Sequence, residues 1–180
     1  DNSGNSYITG YVTDEYDFDP STAVALGGPN PAHVGSASTR VFFILKLDVN
    51  GDFVWVKTQQ STNKSERTVP YEIKLTPNQD SLVIVGALYP NPNSTVDFDP
   101  GTGKAIFEPA GLNYYEGFIM KFDINGNFGW AKTLENTSYY GTDDVSKETG
   151  LAISPSGDLY LSGSFRRDTD FDPSSTSEFM

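Results

Sequence analysis

The sequence predicts an all-β protein: a segment of a β-propeller built of four-stranded antiparallel blades, with about two and a quarter blades in the chain. Three observations carry this. Lys46-Leu-Asp-Val-Asn-Gly-Asp-Phe-Val-Trp-Val-Lys-Thr58 returns as Lys121-Phe-Asp-Ile-Asn-Gly-Asn-Phe-Gly-Trp-Ala-Lys-Thr133, identical at eight of thirteen positions and offset by 75 residues. Glycines 10, 86 and 163, each closing a short apolar run, stand 76 and 77 residues apart. No stretch has helical periodicity; the apolar runs are short and bounded by Gly, Pro, Asn and Asp. A supersecondary unit returning at a long fixed period marks an array, and four successive antiparallel strands per unit are the pattern of a propeller blade.

Taken in order, Asp1-Asn-Ser-Gly-Asn-Ser-Tyr-Ile-Thr-Gly10 is a turn entering a strand, matched by Ser154-Pro-Ser-Gly-Asp-Leu-Tyr-Leu-Ser-Gly163. Thr76-Pro-Asn-Gln-Asp-Ser-Leu-Val-Ile-Val-Gly86 is a looser copy, one residue longer and without the turn glycine. Asp-Phe-Asp-Pro follows each strand, at 17–20, 97–100 and 170–173, and the proline-rich Tyr89-Pro-Asn-Pro-Asn-Ser reads as a loop insertion before the second. The connections Ser21 to Arg40 and Gly101 to Glu116 are variable; the second holds a short strand candidate at 104–108. Val41 to Lys46 and Gly117 to Lys121 are apolar strands that lead into the two long repeats.

Each long repeat reads as a hairpin. Asp48 and Asp123 accept hydrogen bonds from the turn backbone, and Gly51 and Gly126 supply the left-handed residue of a type I turn closed by a glycine bulge. Strict alternation places Phe53 and Trp55 on one face. Tyr71 to Leu75 and Gly150 to Ser154 begin new units as inner strands. The unit boundaries that follow are 1–70 for a partial blade of three strands, 71–145 for a complete blade and 146–180 for the start of the next. Such a chain is expected to be one propeller domain within a longer polypeptide, or to be completed by partner chains at its open sheet edges.

Gly-x-Leu-Tyr-Leu-Ser-Gly, Asp-Phe-Asp-Pro and Phe-Ile-x-Lys-x-Asp-x-Asn-Gly-x-Phe-x-Trp-x-Lys, in that order over nearly the whole chain, resemble the bacterial seven-bladed β-propeller repeats known as SBBP repeats. The resemblance implies a part of a large secreted or cell-surface protein of a Gram-negative bacterium, Bacteroidetes included, where cargo often leaves by type IX secretion. It implies fold and location more firmly than activity.

Composition narrows the partners. Twenty-four acidic residues against twelve basic give a net charge of −12, which opposes nucleic acid and anionic membranes. Absence of cysteine excludes a disulfide framework, and no apolar run is long enough for direct membrane insertion by a helix. The acidity instead suits divalent cations, surface proteins or glycans.

Asp-Phe-Asp-Pro is the chemical candidate. In an extended segment its two carboxylates project to one side, an oxygen pair suited to calcium, so Asp17, Asp19, Asp97, Asp99, Asp170 and Asp172 are the candidate metal ligands. Against this, Phe98 could anchor the blade while the aspartates cap turns, the reading that the missing Asp-x-Asp-x-Asp-Gly register favours. Calcium is the one cofactor expected, and no catalytic or cofactor-binding residues are expected. Asp48-Val-Asn-Gly-Asp52 lacks a bidentate glutamate and reads as a turn. Trp55 and Trp130, repeated at one place in each unit, read as packing between blades, and His33 as a loop residue. Arg166-Arg167 is a solvated pair or an interface. Asn63, Asn93 and Asn136 begin glycosylation sequons, and Asp80-Ser81-Leu82 is similar to a short O-glycosylation motif of Bacteroidetes.

The expected function is a non-enzymatic scaffold or protein- or glycan-binding unit, with recognition in the loops Ser21 to Arg40, Ser61 to Pro70, Tyr89 to Thr95 and Gly101 to Glu116. Two other readings stand beside it. One is a subunit of a surface assembly completed by partner chains; the other is part of a glycan-active propeller enzyme, for which the inner strands offer only Glu72.

Overall fold

A computed structural model of the chain describes residues 1–19, 33–34, 41–61, 67–89, 95–107, 116–134 and 150–163. They form β1 (Ser6–Val12), β2 (Tyr16–Asp17), β3 (His33–Val34), β4 (Val41–Leu47), β5 (Phe53–Thr58), β6 (Gln60–Ser61) and β7 (Arg67–Leu75). There follow β8 (Ser81–Tyr89), β9 (Val96–Asp97), β10 (Ile106–Phe107), β11 (Glu116–Asp123), β12 (Phe128–Leu134), β13 (Gly150–Ile153) and β14 (Leu159–Ser162). The fold is all-β, with no helix among the described residues and every strand pair antiparallel.

Three main sheets follow the repeat. The first has the order β1-β4-β5, the second β12-β11-β8-β7, and the third is the pair β13-β14. Two small ribbons, β2-β3 and β10-β9-β6, lead into the first two Asp-Phe-Asp-Pro segments at Asp17 and Asp97. The second ribbon joins units, because β6 continues from the last strand of the first sheet and β9 belongs to the second repeat. His33 lies in β3, not in a loop, and β7 begins at Arg67, four residues before the expected start. The recognition loop expected at Ser61 to Pro70 is correspondingly shorter. Pro70 is accommodated because β7 is an edge strand and the register shifts between Pro70 and Glu72.

The turns behave as their chemistry dictates. Asp48 Oδ1 accepts the amides of Asn50 (2.8 Å) and Asp52 (3.0 Å), and the Gly51 amide donates to the Asp48 carbonyl at 3.0 Å. Asp123 repeats this with Asn125, Asn127 and Gly126. Gly51 and Gly126 have φ of 86° and 80°, a region that costs a side chain about 1 kcal/mol or more. The turns at Asp1–Asn5 and Ser154–Asp158 have the same backbone pattern as these two, and the turn at Thr76–Ser81 is one residue longer. The first nitrogen, the terminal ammonium at Asp1 and a backbone amide in the other two, donates across the turn from Asp1 to Asn5, from Thr76 to Ser81 and from Ser154 to Asp158, while the fourth residue donates back to the first. That fourth residue is Gly4, Gln79 or Gly157, and Gln79 takes φ of 59° where the other two are glycine.

One expectation fails. Phe53 packs beside Phe43 and Leu45, whereas Trp55 packs on the opposite side of the sheet with Phe42 and Ile44. The cause is a one-residue bulge: Leu47 pairs with Phe53 and Lys46 with Trp55, leaving Val54 extra. The same irregularity leaves Gly129 extra between Phe128 and Trp130. An extra residue in one strand reverses which face the next side chain meets.

Sheet stacking makes the core. Leu82, Ile84 and Leu88 of β8, with Phe118, Met120 and Phe122 of β11, face Phe42 and Ile44 of the first sheet. Val83, Val85 and Ile119 face Leu151 of the third. Both faces of β8 are therefore covered, and residues 81–88 are all buried. Trp55 and Trp130 sit at the margins of these two interfaces, as packing residues between sheets. Each fully buried aliphatic or aromatic side chain here contributes about 1.5–3 kcal/mol.

Gly86 lies where β7 crosses β8 most closely: a Cβ there would stand 2.2 Å from the Val69 carbonyl oxygen and 2.8 Å from Pro70 Cα. At Gly10, its counterpart in β1, a Cβ would meet only the Phe43 ring, at 3.0 Å. Gly86→Ala is expected to destabilise the chain by about 2 kcal/mol or more, through backbone displacement, and Gly10→Ala by less than half as much. Urea unfolding of the two variants measures the difference.

Candidate functional site

The first two Asp-Phe-Asp-Pro segments place their phenylalanines, Phe18 and Phe98, inward and set carboxylates on local backbone. Phe98 is buried, with its ring centroid 6.0 Å from that of Phe118 and 6.3 Å from that of Phe107. Phe18 does the same for the first sheet, 4.6 Å from Phe43. Asp97 Oδ1 accepts the amides of Asp99 (3.1 Å) and Ala105 (2.9 Å), and Asp99 Oδ1 accepts that of Gly101 at 2.7 Å. The Asp19 amide donates to Asp17 Oδ1 at 2.9 Å.

This loop is drawn tightly around Asp99. A Cβ at Gly103 would stand 2.2 Å from Asp99 Oδ2, and one at Gly101 3.0 Å from Oδ1, so the two glycines leave the carboxylate its space. The Phe98 amide closes the loop onto the Ala105 carbonyl at 3.0 Å. Asp97 and Asp99 thus stand together in one segment, as do Asp17 and Asp19, and Asp17, Asp97 and Asp99 each direct a carboxylate oxygen at a nearby amide. Among the described residues no group of three or more His, Asp or Glu side chains gathers in a cation-holding arrangement. Asp170 and Asp172 lie outside the described residues, as do Arg166, Arg167 and the sequons at Asn63, Asn93 and Asn136. Ser81 of the O-glycosylation-like motif is buried at the start of β8, which places its hydroxyl out of ready reach of a modifying enzyme.

The seams between sheets carry polar devices that the sequence reading passed over. Glu72 Oε2 accepts the Leu151 amide at 2.6 Å, Lys74 donates to the Leu151 carbonyl, and the two side chains pair at 2.9 Å. Two residues apart on one face of β7, they hold both backbone groups of a single residue in β13. The signal available in the sequence was Glu72-x-Lys74, which has no counterpart at Gly150 and Ala152. At the first seam, the Asn2 amide donates to Gln79 Oε1 at 2.5 Å and Gln79 Nε2 donates to Asn2 Oδ1 at 3.0 Å. Lys46 Nζ reaches the Ile124 carbonyl at 3.2 Å while lying 5.3 Å from the centre of the Tyr7 ring. Gln79 keeps its left-handed conformation while its side chain bridges two sheets.

The ion pair with Lys74, followed by the Leu151 amide, holds Glu72 below the usual carboxylate range. Asp48 is lowered by the Asp52 and Asn50 amides, Asp80 by the Thr76 hydroxyl, and Asp158 by the Ser156 and Ser154 hydroxyls. For Asp123 desolvation pushes upward, and the Asn127, Asn125 and Gly126 donors together outweigh it.

Compared with protein-family models, curated proteins and solved structures, the chain matches none.

Two outcomes are expected. Groups with lowered pKa values stabilise the fold above the carboxylate range of the unfolded chain and lose that contribution as pH falls through the depressed values. Stability should hold from neutral pH down to about 5 and fall progressively below about 4, as followed by circular dichroism against urea. Asp97→Ala, which removes the acceptor of two amides, should cost about 1–3 kcal/mol with chelator present, and Asp97→Asn, which keeps an acceptor, clearly less. An Asp97→Ala cost that appears only when Ca²⁺ is supplied would instead reveal a cation holding the loop.

Proposed function

We propose that this chain is a β-propeller repeat module of a secreted or cell-surface bacterial protein, acting as a non-enzymatic scaffold or binding unit. The observation that carries the reading is the face-to-face succession of sheets. The complete four-stranded sheet is covered on one side by the preceding repeat and on the other by the following one. Stacking of this kind, unit upon unit, is how propeller blades bury their apolar faces. The sequence resemblance to SBBP repeats and the strongly acidic balance favour an extracellular setting and protein or glycan partners.

The polar groups support a structural role. Glu72, the inner-strand carboxylate on which an enzymatic reading would depend, is engaged by Lys74 and the Leu151 amide. Asp17, Asp97 and Asp99 of the Asp-Phe-Asp-Pro segments accept backbone amides. Recognition then falls to the connections that differ between repeats, since the repeated residues are occupied with folding.

A screen of surface glycans and secreted proteins against the purified chain, with product analysis of any glycan bound, tests this. Saturable binding without turnover is expected, unchanged in Glu72→Gln and lost when residues 90–94 are replaced by a Gly-Ser segment of equal length. Glycan cleavage that Glu72→Gln abolishes would overturn the proposal.

A further inference from the structure

The two seams between sheets are fastened by polar contacts of different kinds. Across the first, Asn2 and Gln79 exchange two hydrogen bonds and the Lys46 ammonium meets the Ile124 carbonyl. None of these groups changes charge in acid. Across the second, Glu72 accepts the Leu151 amide while Lys74 donates to the Leu151 carbonyl.

We infer that the second seam is an acid-sensitive joint: protonation of Glu72 frees the backbone of Leu151 and loosens the third sheet on the second, while the fastening of the first seam holds. The inference goes beyond the propeller reading and takes from it only the stacking of the second and third sheets.

Three observations carry it. The first is what the clasp replaces. The bond from the Ser154 amide to the Asp158 carbonyl sets the phase of the β13-β14 hairpin, and alternation turns the amide and carbonyl of Leu151 away from β14. Glu72 and Lys74 take both groups, as a neighbouring strand would. A hydrogen bond to an ionised partner is about twice as strong as a neutral one, so the Leu151 amide loses much of its hold when the carboxylate takes up a proton.

The second is the dependence of Lys74 on Glu72. The two side chains pair at 2.9 Å, and that of Lys74 is 41% exposed. Once Glu72 is neutral, water competes with the Leu151 carbonyl for the ammonium, and no opposite charge keeps it in place. One proton therefore weakens both halves of the clasp.

The third is the surroundings of Glu72. Among the described residues Lys74 is the charged group that acts on it, and neither residues 150–153 of β13 nor residues 82–88 of β8 include an ionisable side chain. β1 and β4, whose titratable residues are Tyr7, Tyr11 and Lys46, meet β7 where Ile73 and Leu75 join the core of the first seam. The ion pair, and after it the Leu151 amide, hold Glu72 below the usual carboxylate range. The clasp is thus intact at neutral pH and is lost as pH falls through that lowered value. What then remains of the seam is Val83, Val85 and Ile119 against Leu151, apolar contacts that keep the sheets together without fixing their position.

Amide exchange of the ¹⁵N-labelled full chain, expressed as protection relative to the unstructured chain and followed from about pH 6 to about pH 3, tests this. Ile84, in the middle of β8, serves as the reference for the second sheet itself. Leu151 protection is expected to fall at least about tenfold further than that of Ile84, and to recover when the pH is restored. In Glu72→Gln, Leu151 should already be weakly protected at the upper end of the range and show no step beyond that of Ile84. A parallel fall of Leu151 and Ile84 in the unaltered chain, or a full step in Glu72→Gln, would overturn the inference and leave the stacking of sheets standing. A Leu151 amide unprotected even near neutral pH would overturn it together with the stacking on which the propeller reading rests.

Discussion

Burial of β8 on both faces is the constraint from which the rest of the structure follows. A strand at the edge of a lone sheet needs only alternate apolar residues, but Leu82, Val83, Ile84 and Val85 run without a polar interruption. Such a strand is soluble only between two layers. The preceding sheet supplies one through Phe42 and Ile44, and the following sheet the other through Leu151. No single repeat can satisfy this condition alone, so folding and repetition are one requirement.

Polar chemistry places the layers. Apolar faces slide over one another with little directional preference, whereas hydrogen bonds specify position. The Glu72 and Lys74 contacts to one residue of β13 fix the second seam, and the Asn2–Gln79 pair with the Lys46–Ile124 contact fixes the first. The unusual φ of Gln79 becomes intelligible in this setting. A glycine would suit the turn but would remove the amide that joins the sheets.

Much of this was legible in the sequence, and the failures have particular physical causes. The Asp-x-Asn-Gly hairpins were readable because acceptor and left-handed glycine fall within four residues, and local chemistry is written locally. Phe98 was readable as an anchor because Pro100 and the flanking aspartates keep its segment extended. The facing of Phe53 and Trp55 was misread because a bulge at Val54 leaves no mark in composition; it is a property of two strands paired together. The Glu72–Lys74 contact to Leu151 joins residues 77 and 79 positions apart, and only the stacking brings them together. Arg67 to Pro70, which the sequence reading placed in a variable recognition loop, instead extends β7, an edge strand that tolerates Pro70.

The bulge at Gly129 has a consequence for how the array holds together. By turning Phe128 to the interface with the first sheet and Trp130 to the interface with the third, β12 takes part in two interfaces at once. Loosening one seam therefore disturbs the strand that also secures the next. In a linear stack this raises the coupling between neighbouring units relative to their intrinsic stabilities, so opening spreads along the array instead of remaining with one repeat. The extra residue at Gly129 thereby ties the packing of the first sheet on the second to that of the second on the third.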